Sequence, residues 1–162
     1  TMARTAWLDS GLRDFPLAAT YSNNLVNQEE GVDDNELGAD TAIHAYASTA
    51  EFDLDDGHKF NFIWRVLPDI TFDGSTAASP SATMTLLPMQ NSGSGYNSPA
   101  SEGGSNTGAI TRSAVLPIEE FTGQINTRVR GRQMVMKIES TAAGVTWQLG
   151  APRLDMRPDG RR

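Results

Sequence analysis

From Thr41 onward the chain repeats one pattern: short runs of alternating apolar and polar residues, cut by glycine, proline and aspartate. Alternation with period 2 lines one face of a strand, whereas a helix needs apolar residues three and four apart. Ile43, Ala45 and Ala47 alternate with His44 and Tyr46. In KFNFIWRVL, Phe60, Phe62, Trp64 and Val66 alternate with Lys59, Asn61, Ile63 and Arg65. Ala82, Met84 and Leu86 oppose Thr83, Thr85 and Leu87, and residues 110–118 make a further run closed by Pro117. Ile125, Thr127 and Val129 oppose Asn126, Arg128 and Arg130, and Met134, Met136 and Ile138 oppose Val135, Lys137 and Glu139. Val145, Trp147 and Leu149 alternate with Thr146 and Gln148, and Leu154 and Met156 extend or follow that run after Pro152. Helical spacing is not sustained in any of these segments.

About seven or eight short strands with regularly spaced turns predict an all-β fold, an antiparallel β-sandwich of jelly-roll-like kind over residues 41–162. Asp-Gly in Asp55-Asp56-Gly57-His58 predicts a hairpin, because its tight turn needs positive φ. Phe72-Asp73-Gly74-Ser75 predicts another turn. Residues 1–40 carry Gly11, Pro16, Gly31, Gly38 and an acidic run from Glu29 to Glu36, with no period. They are expected to form an extended irregular arm or linker, anchored on a core by Trp7, Leu8, Phe15 and Leu17. Residues 90–109 are rich in glycine, serine and asparagine, with Tyr96 the one aromatic. Loops of that length are usually functional or disordered, and this one is expected to reach toward a neighbour or into solvent.

The chain has 162 residues, 38% of them hydrophobic, which suits one domain with its own core. No apolar run approaches the ~20 residues of a spanning helix, and TMARTAWLDS lacks the apolar stretch of a secretory signal. Cysteine is absent, which removes disulfides, thiolate metal sites and cysteine nucleophiles. That fits a reducing compartment, or a virus particle assembled in a cytoplasm. Charge is uneven. Residues 1–127 hold 17 acidic and 5 basic residues, whereas residues 128–162 hold 3 acidic and 8 basic, for a total of -7. Opposite ends of opposite sign suit head-to-tail self-association, although two solvated faces read the same way.

Chemical motifs are sparse. Asp53, Asp55, Asp56 and His58 invite a divalent metal, but the calcium-loop spacing fails because Gly57 stands where a ligand belongs. Asp33, Asn35 and Gly38 fail in the same way, with Leu37 at the third ligand position. The plain reading of both is an acidic turn. His44 and His58 are the only histidines, no serine sits in a G-x-S-x-G elbow, and the glycine-rich segments match no phosphate-binding pattern. His44 is expected to be a packed or surface strand residue. No catalytic residue, metal or cofactor is assigned, and the chain is read as no enzyme. RVRGRQMVMKIES, Arg128 to Ser140, has the arginines of a nucleic-acid arm but no aromatic on which a base could stack. With pI ≈ 4.7 no binding of free nucleic acid is expected. The alternation instead makes two strands meeting at a turn or bulge at Gly131.

Five ordered segments carry a resemblance: FDLDDGHKFNFIWRVLPDITFDGST, TMTLLP, GSGYN, FTGQINTRVRGRQMVMKIES and GVTWQLGAPRLDMRPDGRR. Together they resemble a domain at the C-terminal end of tailed-bacteriophage virion proteins. These are the tail or neck proteins of short-tailed phages, including the nozzle-type tail tubular group. The resemblance spans roughly residues 5–162, with RVRGRQM and the arginine-rich end its most specific parts. It implies a non-catalytic structural subunit in the virion, meeting copies of itself in a ring or tube and other virion proteins. If the relative is longer, residues 1–40 are the connection to its body. It further implies that Arg128, Arg130, Arg132, Arg153, Arg157, Arg161 and Arg162 belong to a recurring basic end. Those arginines, with Tyr96, are the expected interface residues.

Two other functions compete. A carbohydrate-binding β-sandwich for host recognition would use Trp7, Tyr21, Tyr46 or Tyr96 as stacking platforms, yet Trp64 and Trp147 fall in core registers. A β-sandwich hydrolase would need one distinguished acid, and no spacing singles one out.

Overall fold

The computed structural model describes residues 4–89 and 113–160. These residues contain no helix, and thirteen strands: β1 (Arg4–Leu8), β2 (Leu17–Thr20), β3 (Leu25–Asn27), β4 (Ala45–Ser48), β5 (Phe52–Asp53), β6 (Asn61–Leu67), β7 (Ile70–Thr71), β8 (Ser81–Met89), β9 (Ala114–Glu119), β10 (Ile125–Gly131), β11 (Gln133–Ser140), β12 (Gln148–Leu149) and β13 (Arg153–Pro158). Every pairing is antiparallel. The strands form four sheets: β1-β2-β3; β10-β6-β13; β4-β11-β8-β9 with β5 also on β11; and β12-β7. The fold is all-β, as the alternation predicts. It has more strands than expected, because β3, β5, β7 and β12 are two or three residues long.

Two of the sheets enclose one core. β8 gives Ala82, Met84 and Leu86, β11 gives Met134 and Ile138, and β9 gives Leu116 and Ile118; β6 and β10 meet them with Ile63, Val66 and Val129. The inward residues of β8, β10 and β11 are those the period assigned, but Val135, which the period set on the outward face of β11, is also fully buried. Pro117 does not close its strand. β9 runs on to Glu119, which it can do as an edge strand, where a missing N–H leaves no partner unpaired.

β6 departs from simple alternation. Asn61 and Ile63 point inward, and so does Val66, so the pattern resets by one residue across Trp64. Both neighbouring strands slip there: β13 pairs Asp155 with Arg65 and Met156 with Ile63, while β10 pairs Asn126 with Arg65 and Val129 with Ile63. Trp64 sits in a bulge and is 39% exposed, and Phe62 lies on the outer face. The expected core register of Phe62 and Trp64 is thus reversed, and Val66 alone of that set is buried with the core. Inward-facing Asn61 is satisfied by donating from Nδ2 to the Leu54 carbonyl at 3.0 Å.

The Asp-Gly turn also departs from expectation. Asp55 and Gly57 have positive φ, as such a turn requires, but β5 pairs with β11 and β6 with β10 and β13. The turn carries the chain from one sheet to the other, so it closes no hairpin. Gly131 makes a second crossing, between β10 and β11. A Cβ on Gly131 would lie 2.9 Å from the Gln133 carbonyl oxygen and 2.9 Å from Pro88 Cβ, so only glycine lets β8 approach this corner. Two strand segments do meet at Gly131.

Residues 4–27 form a three-stranded antiparallel sheet where an irregular arm was expected. None of its residues belongs to the core cluster. Trp7, Leu8 and Phe15 are 53%, 58% and 38% exposed, so they do not anchor on that core. Its face of Ala6, Leu8, Leu17, Ala19 and Leu25 is apolar apart from Asn27 beside Leu17, yet Leu8 and Leu25 are largely exposed. The lobe is tied to the sandwich by Asp33, whose carboxylate oxygens accept the Gly144 N–H at 2.7 and 2.8 Å.

Candidate functional site

The outer face of β10-β6-β13 gathers the residues singled out by the arginine-rich sequence. Direct cross-strand partners share a face. Arg130, Phe62 and Arg157 form one row across the three strands, and Asn126, Arg65 and Asp155 form the next. Arg153 faces Leu67 beyond them. Arg128 and Trp64 lie in the bulged row between, both exposed. Central aromatic residues are therefore flanked by arginines on both edge strands.

The rings and guanidiniums are already engaged with one another. Arg130 lies 4.1 Å above the Phe60 ring centroid and Arg132 lies 4.8 Å from the same ring. Arg157 lies 5.3 Å from the Phe62 centroid. Each such contact contributes about 0.5–1 kcal/mol at exposed sites. Arg130 also pairs with Asp159, donating from Nη2 to its carbonyl at 3.0 Å, and Arg65 pairs with Asp155. Asp155 and Asp159 thus lie among five arginines, Arg65, Arg128, Arg130, Arg153 and Arg157, and Asp69 and Glu120 lie near Arg153 at one end. At the Arg153 end, Leu67, Asp69, Ile70 and the 120–123 turn bound a hollow of about 360 Å³, with Phe121 92% exposed at its rim.

Of the expected interface residues, five meet at this face or its Gly131 corner: Arg128, Arg130, Arg132, Arg153 and Arg157. Arg161, Arg162 and Tyr96 lie outside the described residues. Sequence reading missed the aromatic half of the face. It searched for rings within Arg128 to Ser140, and the fold supplies them from β6, more than sixty residues earlier. Strand pairing was the missing signal.

Acidic groups gather elsewhere. Glu29, Glu30, Asp33, Asp34, Glu36 and Asp40 line a cleft of about 850 Å³ between the lobe and the loop that follows it. Arg4 donates to Glu36 at 2.9 Å. The Thr20 hydroxyl, with those of Ser22 and the Arg4 guanidinium, holds the Glu36 carboxyl below the usual carboxylate range. Among the described residues no three acidic or histidine side chains are placed to hold a metal ion. Asp56 instead caps its own turn, accepting the His58 N–H at 3.1 Å.

His44 is an exposed residue immediately before β4, with Nε2 3.0 Å from Glu139 Oε2. Lys137 donates to the same oxygen at 2.7 Å, and this bond leads the lowering of the Glu139 pKa. No nucleophile joins the group, so it reads as a surface pairing across β4 and β11.

No known family model matches the chain, and no curated protein matches it.

Proposed function

We propose that the chain is a non-enzymatic structural subunit of a bacteriophage virion, of its tail or neck, working in multiple copies as a jelly-roll-like β-sandwich with an N-terminal lobe. The observation that carries the reading is the lobe itself. A three-stranded sheet gains independent stability by packing an apolar face, and this one leaves Leu8 and Leu25 in solvent. A neighbouring subunit or another virion protein is the cover such a face needs. The separation of acidic and basic surfaces supports contacts between two different patches, the kind from which rings and tubes are built. Mass spectrometry of purified particles of the encoding phage tests the reading. The chain is expected at many copies per particle, and its absence from particles overturns it.

Carbohydrate binding is the second reading, and the bulge that exposes Trp64 favours it. It ranks lower because the exposed rings are dispersed: Trp7 on β1 and Tyr21 just after β2 belong to the lobe, while Tyr46 on β4 and Trp64 on β6 lie in two other sheets. Glycan-array screening of the purified chain separates the two.

A further inference from the structure

We infer that the outer face of β10-β6-β13 is the docking surface for a second copy of this chain, and that its arginines receive the acidic segment, residues 29–40, of that copy. This rests on the multi-copy reading above and assigns it one contact.

The composition of the face selects a protein partner. Protein interfaces are enriched in arginine and aromatic residues and depleted of lysine, and their binding energy concentrates in those types. All the cations named on this face are arginines, and Trp64 and the nearby Phe121 are its exposed apolar anchors. Single-stranded nucleic acid also binds basic surfaces with aromatics, but it needs open ring faces. Here Phe60 is covered by Arg130 and Arg132 and Phe62 by Arg157, so of the β6 rings on this face Trp64, 39% exposed, is left open, too few for successive bases to stack. Arg128, Arg153 and Arg157 are exposed, and guanidinium N–H edges match carboxylates in bidentate geometry.

Charge complementarity names the partner. Residues 1–127 carry 17 of the chain's 20 acidic residues, so the chain supplies its own complement. In segment 29–40, Glu29, Glu30 and Asp40 are exposed, while Arg4 engages Glu36 and Gly144 engages Asp33. Glu30 accepts from Asn27 at 2.7 Å and Asp40 from Asn35 at 2.5 Å, both exposed bonds local to the segment, so a neighbour can engage these carboxylates without breaking the Arg4 or Gly144 tethers. The two patches differ, so the contact is heterologous and repeats from copy to copy. Arginine–carboxylate pairs at a rim are screened by salt, so association weakens as ionic strength rises.

The test is sedimentation velocity on three chains and their mixtures. One carries Arg128→Glu, Arg153→Glu and Arg157→Glu, which spare the Arg65 and Arg130 ion pairs. The second carries Glu29→Lys, Glu30→Lys and Asp40→Lys. The third carries all six changes. Wild type is expected to associate with concentration, and each triple variant to associate at least tenfold more weakly. An equimolar mixture of the two triple variants is expected to regain association, because each face then meets a segment of opposite charge: the arginine face the acidic segment, and the glutamate face the lysine segment. The six-fold variant regains association. If wild type associates and both triple variants match it, this docking face is wrong while self-assembly stands. If wild type stays monomeric at every concentration, the self-assembly reading falls with it. Binding of a single-stranded oligonucleotide to monomeric wild type, lost in the arginine variant, assigns the face to nucleic acid and overturns the proposal.

Discussion

The guanidinium of Arg130 lies 4.1 Å above the ring of Phe60 and donates through Nε and Nη2 to Asp159. Phe60 is only partly buried, so its packing value is modest and the cation contact is a sizeable part of its role. Phe60→Leu is expected to cost about 1 kcal/mol, and a double-mutant cycle with Arg130→Met should return a coupling of about 0.5–1 kcal/mol. Urea unfolding measures both. A coupling of zero means that the two side chains merely lie side by side.

The Gly131 corner makes a sharper demand. Its φ is not positive, so alanine there is resisted by space alone. The Gln133 carbonyl and Pro88 must move, and Gly131→Ala is expected to destabilise by about 1–3 kcal/mol, the usual cost of overpacking. Gly123→Ala is the control, because nothing lies within 4 Å of its added Cβ. It should stay within about 0.5 kcal/mol of wild type. Equal effects at both glycines would remove the steric account of the corner.

Sequence periodicity reached the core strands because β8, β10 and β11 keep one face buried along their length, so every second residue reports the same environment. It failed at Trp64 because a bulge shifts the pattern by one residue without leaving a glycine or proline to mark it. It failed in residues 4–27 because those strands are three to five residues long and the sheet they form hides little apolar surface. The candidate face was half legible. RVRGRQM announced its arginines, whereas its aromatic centre depends on which strands pair, and periodicity carries no information on pairing.

The lobe and the sandwich should respond oppositely to truncation. Leu86 is fully buried between sheets, so Leu86→Ala is expected to cost about 2–5 kcal/mol. Leu25 is 77% exposed, so Leu25→Ser should change monomer stability by less than about 0.5 kcal/mol. The same change should reduce self-association, because it removes apolar surface from the uncovered face. Urea unfolding and light scattering read the two effects separately, and a strongly destabilised Leu25→Ser would show that the face is already packed.

Glu139 ties stability to acid. Its folded pKa is lowered, chiefly by the Lys137 hydrogen bond and then by His44. A depressed carboxylate stabilises the fold above its unfolded pKa of about 4.3, and that contribution is lost as pH falls through the folded value. Lys137→Met should raise the Glu139 pKa toward the ordinary range and make the loss of stability below pH 5 shallower. Titration of the Glu139 side-chain carbon by NMR checks the direction, and an unmoved pKa would take away Lys137's part in it.

Asp33 is the point at which lobe and sandwich communicate. Its carboxylate accepts the Gly144 N–H, and Gly144 in turn accepts at its carbonyl from the N–H groups of Thr76 and Ala77, at 2.9 and 3.0 Å. Asp33→Ala removes a charge-assisted hydrogen bond of about 1.5–3 kcal/mol. Because the lobe shares none of the core cluster, the loss should stay local. Hydrogen exchange is expected to quicken at Gly144, and proteolysis to quicken within residues 29–41, while Ile63 and Met84 keep their protection. An unchanged Gly144 amide would mean that the tether does not hold the lobe. A global loss of protection would mean that lobe and sandwich fold as one unit, and the lobe would then no longer be free to turn its apolar face to a neighbour.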